Sequence, residues 1–143
     1  MARGRYLDRS DLHQDNKHVF DRIKKSRGSV GNVFRAMLNN PGATGPVAAV
    51  GEYVRYESSL DPAVREILTL TTAKEHDNAY EWAHHESIAR DSGVRNEVID
   101  SIRNGRGHMG LQAKEGFFVQ AAREIVRNLY LIHIYEHTRP RLI

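Results

Sequence analysis

Leu60-Asp61-Pro62-Ala63-Val64-Arg65-Glu66-Ile67-Leu68 and, further on, Asn78-Ala79-Tyr80-Glu81-Trp82-Ala83-His84-His85 are the stretches whose reading decides the fold. Asp61 directly before Pro62 sets an N-cap aspartate against a proline at the first helical position, where the missing N–H costs nothing. Val64, Ile67, Leu68, Leu70 and Ala73 follow, and this apolar surface nearly encircles the axis, so a buried helix is expected. Asp77 can cap the next helix, which should end at Gly93 in the position after Ser92. Glu66, Glu81, His84 and His85 thereby fall in two consecutive helices. Carboxylates and imidazoles are the side chains most used to move protons near neutral pH, and packing of the two helices would bring them into one pocket.

Outward from this pair the pattern stays helical. Val19, Phe20 and Ile23 recur at helical spacing between Asn16 and Arg27, and Gly28 stops the run. Ser29 can cap a second helix carrying Val30, Val33, Phe34, Met37 and Leu38, and Asn39-Asn40-Pro41-Gly42 reads as a turn. A third helix over about 45–58 is apolar through Val47, Val50 and Val54, with Gly51 weakening it. After Gly93, Asn96 opens a short helix with Val98, Ile99 and Ile102, closed by Gly105; Gly105 to Gly110 is a loop. A last helix from about 112 carries Phe117, Phe118, Ala121, Ala122, Ile125 and Val126. No strand-like alternation holds before residue 129, so the expected class is all-α, a bundle of six to seven helices.

With 143 residues, 40% hydrophobic and 27% charged, the chain suits one globular domain with its own core. No apolar run reaches the roughly 20 residues that span a bilayer, and no apolar signal core follows the charged Met1–Arg5 stretch. A cytoplasmic protein with no membrane partner is expected. The absence of cysteine excludes disulfides, thiolate metal sites and cysteine nucleophiles. The formal charge of +3 is scattered over Arg3, Arg5, Arg9, Lys17, Lys24, Lys25 and Arg27. Residues 1–15 read as a flexible basic arm. Nucleic-acid association through that arm is the weakest of the functional readings, because no recognisable binding module accompanies the charge.

Arg65-Glu66, Tyr80-Glu81-Trp82, His85 and Ala89-Arg90-Asp91-Ser92-Gly93 resemble the carboxymuconolactone decarboxylase-like proteins, a superfamily that includes the alkylhydroperoxidase D proteins. The resemblance covers most of residues 16–127 and implies an all-α bundle of the alkylhydroperoxidase D type, assembled as a homo-oligomer, a trimer or hexamer. In the peroxidase branch a glutamate is followed by two cysteines and a histidine at fixed spacing. Glu66 takes the glutamate position, Asn78 and Glu81 the cysteine positions, and His85 the histidine position. A thiol peroxidase needs one thiolate to attack peroxide and a second thiol to resolve the sulfenic acid. Asn78 and Glu81 can do neither, so the chain resembles the cysteine-free branch.

That branch implies a cofactor-independent lyase or isomerase acting on a small carboxylated lactone or related carbonyl acid. Loss of carbon dioxide from a carboxymuconolactone leaves electron density delocalised toward the lactone carbonyl, and the protein has only to stabilise it and deliver a proton. His85 is the expected donor, Glu66 its orienting partner, and Glu81, four residues before His85 on the same helix face, a relay. Arg27, in a family-like Ser-Arg-Gly setting, is expected to hold a substrate carboxylate, with Arg65 the alternative. Tyr80 and Trp82 are candidate substrate platforms, though packing is the more ordinary use of both.

Other readings remain open. Glu81 and His85 also fit a surface pair in a non-catalytic helical oligomer of the same fold. Glu81-x-x-His84 has the spacing of half a di-iron site, but no second copy exists in the chain and no metal is expected. Finally, Leu129 to Ile143 resembles a translated sequencing adaptor, so residues 16–128 are taken as the helical domain and 129–143 as a non-native or atypical tail; continuation of the last helix is the alternative.

Overall fold

The structure, a computed structural model, describes residues 4–106 and 110–138, with side chains described as far as Asn128. Seven α-helices follow one another: α1 (Lys17–Arg27), α2 (Asn32–Met37), α3 (Pro41–Glu52), α4 (Pro62–Glu75), α5 (Ala79–Asp91), α6 (Asn96–Arg103) and α7 (Ala113–Thr138). There is no strand among the described residues. The chain divides into an N-terminal unit ending at Ser59 and a C-terminal unit beginning at Leu60.

In the N-terminal unit, α1 ends as expected at Gly28, whose φ of 77° suits a residue without Cβ. Leu12, Val19, Ile23, Leu38 and Ala48 form its core. Residues 4–15 of the expected arm carry one 3-10 turn at Arg9–Asp11 and most of a second at Gln14–Asn16, and Leu12 is buried. Their basic groups meet acids inside the unit: Arg9 pairs with Asp21 at 2.7 Å and Arg5 with Asp11 at 3.5 Å. Two helix starts differ from expectation. Gly31, not Ser29, precedes α2. The expected turn at Asn39–Gly42 is instead the start of α3, because the Asn40 side chain accepts from the Ala43 N–H and Pro41 supplies a preset first position. A π-helical stretch, Tyr53–Glu57, prolongs α3. The valines of α3 also face the other way: Thr44 and Ala48 are buried, whereas Val47, Val50 and Val54 are exposed.

In the C-terminal unit, Asp61 caps α4 through the Ala63 N–H and Pro62 opens it. The helix packs against α5, α6 and α7. Ile67, Leu70, Ala89, Val94, Val98, Ile99, Ile102 and Val119 form one core, and Leu70, Val98, Ile99 and Ile102 have no exposure at all. The Asp77 capping expected for α5 is taken over by Asn78, which accepts from the Glu81 N–H; Asp77 instead turns the chain at a φ of 49°. Gly93 ends α5 as expected, with φ of 85°. On α7 the buried side chains are Val119, Ala122 and Val126, while Phe117 and Ile125 are exposed. Arg123 and Arg127 each donate from Nε to Glu75 at 2.9 Å and tie α7 to the end of α4. Helix α7 runs on through Leu129 to Thr138. Residues 139–143 of the tail and 107–109 of the Gly105–Gly110 loop lie outside the described residues.

Because Leu70 has no exposure and sits where α4 meets its neighbours, Leu70→Ala should lower stability by about 3 kcal/mol. Urea unfolding measures this directly.

Candidate active site

Helix α4 buries a carboxylate as well as its apolar residues. Glu66 has no exposed surface, one turn from Leu70 on the same helix. An isolated ionised carboxylate in that position would be strongly destabilised. Two side chains compensate. His85 on α5 meets Glu66 Oε2 through Nδ1 at 2.7 Å, and Arg65 donates from Nε to Glu66 Oε1 at 3.1 Å. Burial alone would raise the Glu66 carboxyl, but the hydrogen bonds from His85 and Arg65 outweigh it and hold the group below the usual carboxylate range.

An ionised Glu66 accepts only, so the hydrogen at this contact belongs to His85 Nδ1. That contact fixes the orientation of the ring and leaves Nε2 on its opposite side. Glu81 lies one helical turn before His85, with Oε2 at 3.6 Å from Nε2. Glu81 is about one-third exposed and His85 much less so. Glu66, Glu81 and His85 are thus brought together in sequence along one line: buried carboxylate, imidazole, surface carboxylate. The two acids meet opposite ring nitrogens and do not converge on a common point, and among the described residues no group of His, Asp and Glu has an arrangement that could hold a metal ion.

Glu81 also lines an open cleft of about 400 Å³, together with Leu68, Thr69, Thr72, His76 and Asn78. Sequence reasoning did not place Thr69, Thr72 or His76 at a site. Leu68, Thr72 and His76 follow one another at intervals of four and so share a helix face, a signal visible only once the partner of that face is known. His84 packs edge-on to His85, with ring centroids 5.1 Å apart, and is itself exposed.

The three expected binding residues fall in different settings. Trp82 is half-buried against the core, donates from Nε1 to Glu86 Oε2 at 2.9 Å, and has the Arg103 guanidinium 5.5 Å above its ring. Tyr80 is 52% exposed. Arg27 belongs to the N-terminal unit, where its guanidinium lies 4.8 Å over the Phe34 ring and against Gly51, at which a Cβ would come within 2.8 Å of Nη2. Glu86, not anticipated from the sequence, gathers Trp82, Arg90 and Arg103.

The carboxymuconolactone decarboxylase family model matches residues 41–124, more than half of the chain, and the chain belongs to this family. No curated protein and no solved structure matches it.

Hydrogen bonds from Arg103 and Arg90, opposed by burial and helped by Trp82, bring the Glu86 carboxyl down from its usual 4.5 to about 2. An acid with a depressed folded-state pKa stabilises the fold above its unfolded pKa and loses that contribution as pH falls through the folded value. Glu86→Gln should therefore cost roughly 1–2 kcal/mol at pH 7, a partly screened figure. The difference from wild type should close between about pH 4.5 and pH 2. Urea titrations across this range, followed by fluorescence of the sole tryptophan, test it.

Proposed function

We propose that this member of the carboxymuconolactone decarboxylase family is a cofactor-independent lyase or isomerase acting on a small carboxylated lactone or related carbonyl acid. The observation that carries the proposal is the His85 ring held between buried Glu66 and cleft-lining Glu81. Loss of carbon dioxide breaks the bond to the carboxylate and leaves its electron pair delocalised through the double bond to the lactone carbonyl. A proton must then reach carbon. His85 as imidazolium supplies it from Nε2, directly or through Glu81, and returns to the Nδ1–H tautomer that Glu66 favours. Glu66 stays ionised throughout and balances the imidazolium charge. Water entering the cleft restores the proton.

This chemistry needs no thiol, in keeping with a chain that has no cysteine. Asn78 and Glu81, at the positions of the peroxidase thiols, supply a helix cap and the relay carboxylate instead. A homo-oligomer is part of the proposal: Val47, Val50 and Tyr53 on one unit, and Phe117 and Ile125 on the other, leave apolar surface exposed on the single chain. The same exposure supports the second reading, an assembly of this fold without catalysis.

Carboxymuconolactone turnover, followed by release of carbon dioxide, separates the two. His85→Ala should lower kcat by about 10²–10⁴-fold. Glu66→Gln, which keeps the shape but loses the charge behind the imidazolium, should lower it less and shift the pH profile. Unchanged turnover in His85→Ala would remove the proton-transfer proposal, and no turnover by folded wild type would leave the non-catalytic assembly.

A further inference from the structure

Beside the cleft that holds Glu81 lies a second one of about 330 Å³, and the two share Ala73 and Asn78 in their walls. The second cleft has a different chemistry. Ala73, Ala79 and Trp82 give it apolar walls, and Lys74 and Arg103 bring positive charge. Arg103 is committed, since its two terminal nitrogens pair with Glu86 and Asp100. Lys74 is half-buried, and no ion pair joins it to a carboxylate among the described residues, Asp77 in the same wall included. Trp82 cannot swing freely, because Glu86 holds its Nε1 and Arg103 covers a ring face. A rigid aromatic wall beside an unpaired ammonium fits a small flat organic acid.

The geometry points to Lys74 as the residue that binds a carboxylate of the substrate, with the ring of the substrate lying against Trp82. This assignment rests on the proton-transfer reading of the neighbouring cleft and narrows its substrate class. A carboxylate that departs as carbon dioxide loses its charge on the way to the transition state. A cation bound to it would stabilise the ground state more than the transition state and slow the reaction. Lys74 therefore binds a carboxylate that stays on the product. One carboxylate is then anchored at the last turn of α4, and the other is lost near Glu81 at the first turn of α5.

Binding can be read without turnover, because the only tryptophan of the chain forms the cleft wall. Benzoate, a flat acid with nothing to release, is titrated against the full chain beside benzamide, its uncharged counterpart. Benzoate should change the Trp82 fluorescence saturably, at least tenfold more tightly than benzamide. Lys74→Met should erase that preference, and Lys74→Arg should restore most of it. Equal binding of the two probes, no saturable response to benzoate, or a preference that survives Lys74→Met would each overturn the assignment. Should benzoate bind as expected while wild type fails to turn over carboxymuconolactone, the carboxylate seat stands and the lyase reading alone falls.

Discussion

Burying the Glu66 carboxylate inside α4 would cost several kcal/mol if it stood alone, and the arrangement of the C-terminal unit follows from how that cost is offset. One oxygen is met by Arg65, its chain neighbour, and the other by His85, which is 19 residues away and on another helix. The second contact positions α5: a shift that pulled His85 off Glu66 would leave one oxygen of a buried carboxylate without a partner. It also sets the tautomer of the ring. A structural requirement, satisfying a buried acid, thus leaves His85 Nε2 facing Glu81, which lines the cleft. Stability and chemistry share one hydrogen bond.

The two positions where thiols would stand in the peroxidase branch show how such a site is rebuilt. Asn78 spends its side chain on the Glu81 N–H and starts the helix. Glu81 places a carboxylate oxygen 3.6 Å from His85 Nε2. Thiol exchange has no sulfur to act on in this chain, whereas the proposed proton transfer needs only a carboxylate and an imidazole.

Much of this was legible in the sequence where one local force dominated. Asp61-Pro62 fixed the start of α4, Gly28 and Gly93 fixed helix ends, and the spacing of Glu66, Glu81 and His85 pointed to their meeting. Legibility failed where two residues competed for one role. Ser29 and Gly31, Asp77 and Asn78, and a turn against a cap at Asn40 are choices between neighbours of similar propensity; at Asn40 and Asn78 the side chain that reaches a first-turn N–H takes the role. The valines of α3 were misassigned because valine reads as core, yet the buried face of that helix is made by Thr44, whose hydroxyl bonds the Met37 carbonyl at 2.6 Å, and by Ala48. The second cleft was illegible for another reason: its walls come from α4, α5 and α6, and no short window of sequence contains them.

Helix α5 carries two duties one residue out of step. Glu81 and His85 form one i, i+4 pair directed at α4; Trp82 and Glu86 form the next, linked to Arg103 on α6. A one-residue offset turns the helix by about 100°, so the proton-handling stripe and the bracing stripe occupy adjacent faces. Ala89 is the only side chain of α5 that is fully buried, and Trp82 packs half-buried against the same core, so these polar pairs add to a modest apolar anchorage. Polar pairs are directional where apolar packing is not, and they fix rotation about the helix axis as well as position. For a site that depends on a 2.7 Å contact at one ring nitrogen and an approach at the other, rotation is the variable that matters. The brace at Trp82 and Glu86 therefore supports the placement of His85, although neither residue touches it in a hydrogen bond or an ion pair.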